Sequence, residues 1–239
     1  MTPVQASLEE HAGVNRFARA WSLLYLNVKR LFLLRRVHQQ SLEWVDGVPL
    51  VVLPGVLNPV VFRSGEFLAR VIPPSSAAEP RALDMGTGCG IGAIFAARRG
   101  YRVTAVDVNP DAVRCCRINA LLNRLENNIE AVEGDLFAPI AGQRFDLVLF
   151  NPPFFRGEPK SPADLAWRAT GLFERFAAGL PAVLATDGRA LILLSTDGDA
   201  SGMLSALEQN GLRVGPVEQR NFGNEIMTVY CARPGQGRE

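Results

Sequence analysis

Residues Ala82 to Gly92 read Ala-Leu-Asp-Met-Gly-Thr-Gly-Cys-Gly-Ile-Gly, and this stretch decides the fold. Apolar residues run into a cluster of small ones, after which Ala93-Ile94-Phe95-Ala96-Ala97 predicts a helix. Strand, glycine-rich turn and helix together make the first half of a nucleotide-binding βαβ unit. Glycine lets the backbone approach a ligand closely, and the free N–H groups at the helix start face that ligand. A dinucleotide fingerprint, G-x-G-x-x-G, counted from Gly86 and Gly88 needs glycine where Ile91 stands. The spacing present is Asp84-x-Gly86-x-Gly88-x-Gly90. A carboxylate ahead of the first glycine repels a pyrophosphate and suits a ligand carrying an ammonium group.

Downstream of the turn, Tyr101 to Val106 predicts a second buried strand ending in Asp107. An acid at a strand's end, about 20 residues past the glycines, is placed to accept both hydroxyls of a ribose. That supports an adenosine ligand without choosing among its kinds. Asn109-Pro110 starts a helix to about Asn123, and Ile129 to Glu133 forms a third strand followed by Gly134-Asp135-Leu136-Phe137. Asp135 could accept from an adenine amino group while Leu136 covers the ring, or it could be a simple turn aspartate. The fourth strand, Phe145 to Phe150, runs into Asn151-Pro152-Pro153-Phe154. Two prolines after a buried strand fix the backbone rigidly. A strand terminator alone explains neither the preceding Asn nor the following aromatic.

Working outward, Leu165 to Ala185 predicts a helix, Asp187-Gly188 a turn, and Arg189 to Leu194 a fifth strand. A helix over Ala200 to Asn210 and strands near Leu212 to Val217 and Glu225 to Cys231 close the chain. Upstream, Leu42 to Val45 and Val48 to Leu53 flank Asp46-Gly47, a strong hairpin signal, with Pro49 favouring an edge strand. Pro54 to Pro59 reads as a loop, and Ser64-Gly65-Glu66 opens a helix to about Ile72. Before the hairpin, about Leu8 to Gln40 reads as two helices, apolar on one side at Trp21, Leu24, Tyr25, Val28, Leu31 and Phe32. Leu23, Leu26, Leu33 and Leu34 lie on the opposite side. A helix apolar on two sides wants two packing partners: the core alone, a substrate lid, or a homodimer contact. The division expected is 1–73 for extension and hairpin and 74–239 for the core domain.

A formal net charge of +1 advertises no global field for nucleic acid. Cys89, Cys115, Cys116 and Cys231 have no zinc-like spacing and only His11 and His38 accompany them, so no metal site is expected and the thiols suit a reducing cytoplasm. The opening Met-Thr-Pro-Val-Gln does not read as a signal peptide, so none is expected, and Asn27, Lys29 and Arg30 interrupt the best apolar run. The expectation is a cytoplasmic protein with no membrane partner.

The Asp84-x-Gly86-x-Gly88-x-Gly90 spacing resembles motif I of the class I S-adenosylmethionine (SAM) methyltransferases. Asn151-Pro152-Pro153-Phe154 resembles the Asn-Pro-Pro-Tyr/Phe motif of those that modify planar nitrogens, the "methyltransferase small" group. These include release-factor glutamine methyltransferases and the adenine-N6 and guanine-N2 enzymes. The resemblance covers about Arg81 to Pro234. It implies a Rossmann-like α/β fold whose seven-stranded sheet is mostly parallel, with an antiparallel last strand and helices on both faces. It also implies SAM as cofactor, held by Asp84, Gly86, Gly88, Gly90, Asp107, Asp135, Leu136 and Asn151, with Asn151, Pro152 and Phe154 catalytic.

The chemistry fits those residue types. An amide or exocyclic amino nitrogen is a poor nucleophile because its lone pair is delocalised. Acceptors on its two N–H groups favour the pyramidal geometry that frees the pair. Asn151 brings a side-chain carbonyl and Pro152 a backbone carbonyl with no competing N–H, while Phe154 offers a flat face for stacking. The favoured acceptor is a protein glutamine. A nucleic-acid base nitrogen, a small-molecule amine or amide, and a non-catalytic SAM-binding partner subunit are the alternatives. One departure from the glutamine enzymes is plain: their Pro-Arg-x-x-Thr-Glu stretch appears here only as Pro54-Gly55-Val56-Leu57-Asn58-Pro59. A NAD-dependent dehydrogenase fits poorly, given Ile91.

Overall fold

The computed structural model describes residues 39–75, 78–153, 171–223 and 225–235, and the backbone of 155–156 and 168–169. The expected N-terminal helices, the interface or lid they would form, and Phe154 lie outside the described residues. The first elements are a hairpin of β1 (Ser41–Val45) and β2 (Val48–Val52), two-stranded and separate from the main sheet. Asp46 and Gly47 turn it with φ of 48° and 76°, the left-handed pair that matches strand twist. Pro49 sits opposite Trp44 in a hairpin where both strands are edges. Helices α1 (Pro59–Phe62) and α2 (Ser64–Val71) follow.

The core then alternates strand and helix: β3 (Arg81–Met85), α3 (Ile91–Arg98), β4 (Arg102–Asp107), α4 (Pro110–Leu122), β5 (Ile129–Glu133) and β6 (Phe145–Phe150). After a short parallel pair, β7 (Phe155–Arg156) with β8 (Arg168–Ala169), come α5 (Leu172–Val183), β9 (Leu184–Ser195), α6 (Ala200–Gln209), β10 (Leu212–Asn221) and β11 (Ile226–Pro234). The seven-stranded sheet has the order β10-β11-β9-β6-β3-β4-β5. Pairs from β5 across to β9 are parallel, while β11 is antiparallel to both neighbours. The expected α/β fold is therefore the observed one. From β3 the chain steps outward through β4 to β5, then returns to place β6 on the other side of β3. Such a reversal opens a crevice at the carboxyl ends of the strands, and ligands bind there.

The period-2 alternation of the strands decides what each face buries. In β6, Leu147 and Leu149 join the core formed with α2, α3, α4 and the hairpin. Val148 and Phe150 join the core formed with α5 and α6. All four are at most 3 % exposed. At about 1.5–3 kcal/mol for each such side chain removed from water, this one strand helps hold two layers in place.

Two expectations need correction. The helix expected from Leu165 starts at Leu172, because Gly171 (φ 64°) ends an approach in which Arg168–Ala169 is extended and paired with Phe155–Arg156. The turn expected at Asp187-Gly188 is absorbed into β9, where the pairing with β6 jumps from Phe145–Leu184 to Leu147–Arg189. Gly188 permits this close approach, since a Cβ there would lie 2.6 Å from the Phe145 carbonyl oxygen.

Candidate active site

The glycine turn leaves β3 at Met85 and enters α3 at Ile91. Gly86, Gly88 and Gly90 have φ of 66°, 55° and 84°, values that glycine adopts without strain. Nothing stands within 4 Å of the position a Cβ would take on Gly86 or Gly88, so that side of the turn is open. Gly90 is the opposite: a Cβ there would lie 2.9 Å from Cys116 Sγ. Backbone bonds close the turn, Gly90 N–H donating to the Thr87 carbonyl at 2.8 Å and Gly86 N–H to that of Val106 at 2.8 Å.

Behind this turn sits Asp84, 6 % exposed. Its Oδ2 accepts from Thr87 Oγ at 2.6 Å and from the Ala93 N–H at 2.9 Å. Gly92 makes room for it, since a Cβ there would be 2.5 Å from Asp84 Oδ1. Burial pushes the carboxyl up from 3.8 to about 7, against the two hydrogen bonds. Asp84 is not among the residues lining the cleft in front; it ties the turn to the helix start.

That cleft, of about 340 Å³, opens over the carboxyl ends of β3, β4, β5 and β6. The volume falls in the ordinary range for small-molecule sites, about 300–1,000 Å³. Asp107 lines it at the end of β4, its Oδ2 accepting from Gly88 N–H and Oδ1 from Asn109 N–H, each at 2.9 Å. Desolvation raises its carboxyl, and those N–H donors pull it back. Each oxygen keeps a further lone pair for a ligand hydroxyl. Asp135 and Leu136 line the cleft beyond β5. Leu136 is buried, with φ of 48°, and exposed Asp135 forms an ion pair with Arg175 of α5.

Opposite them, β6 delivers Asn151. Its predecessor Phe150 is clamped by a stack on Phe176 of α5, ring centres 4.0 Å apart. Asn151 Nδ2 donates to Ser64 Oγ at 3.0 Å. Its Oδ1 is, among the described residues, the buried side-chain polar atom left without a hydrogen-bond partner. Buried carbonyls are rarely left so, and each such case asks for a ligand or a reason. Pro152 is buried and does not line the cleft, whereas Asn151 and Pro153 do.

Ser64 reaches this site from a corner between α1 and α2. Asn58 caps α1, accepting from Val60 N–H at 3.0 Å and Val61 N–H at 3.1 Å. The same side chain donates to Glu43 Oε1 at 2.8 Å in the hairpin. Arg63, with φ of 59°, turns the chain into α2. Thus Leu57, Pro59 and Gly65 line the cleft too, together with Arg175 from α5. None of these was singled out from the sequence. Asn58-Pro59, a cap residue before proline, was the available signal for a helix start.

Among the described residues no group of three or more His, Cys, Asp or Glu could hold a metal ion. Burial pushes the thiols of Cys89, Cys115 and Cys116 up, the last two to about 11 and about 12, so they remain inert thiols. No described helix is long and apolar enough to cross a membrane.

Residues 50–210 match the family model described as the methyltransferase small domain. The chain belongs to that family. Among its curated relatives is the release factor glutamine methyltransferase of Deinococcus radiodurans, 33 % identical over 163 residues, covering 65 % of this chain and 54 % of that one. The tRNA1(Val) (adenine(37)-N6)-methyltransferase of Porphyromonas gingivalis (strain ATCC 33277) is 34 % identical over 96 residues, covering 37 % of this chain and 38 % of that one. The chain thus spans about half the length, or less, of these two relatives. In fold, the 16S rRNA N2 G1207 methyltransferase of T. thermophilus, solved with AdoMet and guanosine, superposes with a TM-score of 0.63 at 19 % identity. It covers 82 % of this chain and 50 % of that one.

Proposed function

We propose that this methyltransferase small domain protein transfers a methyl group from SAM to a planar nitrogen, with a protein glutamine side chain as the acceptor. The observation that carries the reading is Asn151, which lines the cleft that also holds the open glycine turn and Asp107, and whose Oδ1 is buried without a hydrogen-bond partner. The residues present fit the cofactor. The backbone at Gly86 and Gly88 offers a cradle without side chains. Asp107 takes the ribose hydroxyls, and Leu136 and Asp135 border the adenine.

Bound SAM supplies an electrophilic methyl on a positively charged sulfur. Asn151 Oδ1 accepts one acceptor N–H, so the nitrogen's lone pair is directed at the methyl. The Pro152 carbonyl, expected from the sequence to take the other, belongs to a residue that does not line the cleft. Phe154, the last residue of the Asn-Pro-Pro-Phe stretch, is the aromatic proposed to stack on the planar group. Holding the groups in line and excluding water supplies most of the acceleration. The glutamine assignment is supported by the D. radiodurans match, which runs over 163 residues where the tRNA adenine enzyme matches over 96. It agrees too with the near-neutral net charge of +1, since tight phosphate binding draws on excess Lys and Arg.

The test is transfer of tritiated methyl from SAM to four acceptor pools: release-factor protein, tRNA, ribosomal RNA and a metabolite extract. Label in the protein pool, removed by changing one glutamine, is the expected result. Label confined to RNA moves the acceptor to a base nitrogen. No label in any pool, with SAM bound, leaves a SAM-binding subunit.

A further inference from the structure

Asn119, near the end of α4, is 0 % exposed and bonds its side-chain amide to main chain on two sides. Oδ1 accepts from Val51 N–H at 2.7 Å, and Nδ2 donates to the Val51 carbonyl at 2.7 Å. Nδ2 also donates to the Cys89 carbonyl at 2.8 Å. A backbone N–H only donates and a carbonyl only accepts, so these three contacts fix which way round the amide sits.

The two sides of this link belong to different parts of the fold. Val51 is in β2 of the hairpin, 68 positions before Asn119, and the amide meets its N–H and carbonyl as a neighbouring strand would. Asn123 adds a bond from the same helix end, its Nδ2 donating to the Pro49 carbonyl at 2.9 Å. Cys89 is in the glycine turn and lines the cleft. Its peptide with Gly90 is held at both ends, the carbonyl by Asn119 and the Gly90 N–H by the Thr87 carbonyl. Gly88 and Gly90 have φ of 55° and 84°, so the conformational freedom around this peptide is restrained by partners from outside the turn. The residues of β2 are not among those lining the cleft, but Gly55, Val56 and Leu57, just past its end, are. One amide thereby ties the strand leading into one wall of the cleft to the turn that forms another.

We infer that Asn119 is a positioning residue that couples docking of the hairpin to binding of SAM at the glycine turn. It does not line the cleft and acts through the Cys89 carbonyl. This rests on the reading of the cleft as the SAM site. Such coupling is reciprocal: the factor by which SAM favours the docked hairpin is the factor by which the docked hairpin favours SAM.

Two measurements on the full chain test it, and neither needs the methyl acceptor. Hydrogen exchange with and without saturating SAM reads the opening of peptides covering Val48–Val52, and calorimetry reads the SAM dissociation constant. In wild type SAM should slow hairpin exchange by about tenfold, the scale of one or two buried hydrogen bonds. Asn119→Leu, similar in volume but without the bonds, should weaken SAM by a similar factor and abolish the SAM-dependent slowing. Unchanged exchange in β3 and β6 peptides reports that its core is intact. Asn123→Ala, which removes a hairpin bond that does not reach the turn, should keep the slowing. Its loss there would assign the coupling to hairpin docking in general and overturn the role of Asn119. Slowing that persists in Asn119→Leu overturns it too, since the chain from Leu53 to Leu57 then carries the effect. Wild type that binds SAM with no change in hairpin exchange overturns the inference even if Asn119→Leu does not fold, and leaves the cofactor site standing. Failure of wild type to bind SAM removes the reading of the cleft, and the inference with it.

Discussion

At the ends of β3 and β4, Asp84 and Asp107 each accept two hydrogen bonds from the turn and helix starts beside them. At the end of β6, Asn151 keeps one hydrogen bond, to Ser64, and leaves its buried oxygen bare. On the proposed function, the carboxylates of the cofactor half, Asp107 in the cleft and Asp84 behind it, have their hydrogen bonds before anything binds. On the same reading, the acceptor half is completed by its ligand. That difference separates binding from catalysis. A prebuilt half fixes a ground-state ligand, whereas an oxygen waiting for an N–H favours the geometry in which that N–H bond points at it during transfer.

The largest effect should appear where the bare oxygen is removed. Asn151→Ala should lower single-turnover methyl transfer by about 10²–10³-fold, the scale of one oriented transition-state hydrogen bond. On the cofactor side, Asp107→Ala should weaken SAM binding by about 1.5–3 kcal/mol, as measured by calorimetry, and unchanged affinity would break the assignment of the ribose. Gly90→Ala attacks the turn itself, where φ is 84° and a Cβ would sit 2.9 Å from Cys116 Sγ. Left-handed strain and overpacking together predict a loss of about 2–4 kcal/mol in urea unfolding. A loss below 1 kcal/mol would mean that the turn is looser than its packing indicates.

Smaller effects sharpen the same contrast. Burial raises the Asp84 carboxyl from 3.8 to about 7, so the folded protein prefers its protonated form. That contribution is complete below about pH 4 and is lost as pH rises through about 7. The stability of wild type relative to Asp84→Asn should therefore fall between those limits and then level off, read from urea midpoints at each pH. A flat difference would show that the carboxyl ionises without cost. Smallest of all, Arg175→Ala breaks an ion pair whose side chains are 53 % and 56 % exposed, and should change stability by less than about 1 kcal/mol.

What the sequence disclosed follows the same division. Asp84, the three glycines and Asp107 were legible because the strand-turn-helix unit that organises them is continuous, with periodic apolar flanks. The sheet was legible for the same reason, since strands such as Phe145 to Phe150 are apolar on both faces. The inward turn of Asp84 was not, because it depends on Thr87 and on the space left by Gly92. Ser64 and Arg175 were missed because their roles exist only through contacts 87 and 40 positions away. The starting point of α5 was missed because Arg168 and Ala169, inside the expected helix, are instead extended and paired with β7, a contact between segments that local pattern does not carry.

The most direct measurement compares Asn151→Ala, Asn151→Asp and Asp107→Ala in single-turnover transfer at saturating SAM, each alongside a SAM titration. Asn151→Asp keeps an acceptor oxygen at the same place. The two halves should separate: Asn151→Ala loses rate while its SAM affinity shifts by less than about 1 kcal/mol, Asn151→Asp retains more rate than Ala, and Asp107→Ala loses affinity with rate largely preserved. Equal losses of rate and SAM affinity in Asn151→Ala would contradict the account and make Asn151 a part of the cofactor pocket.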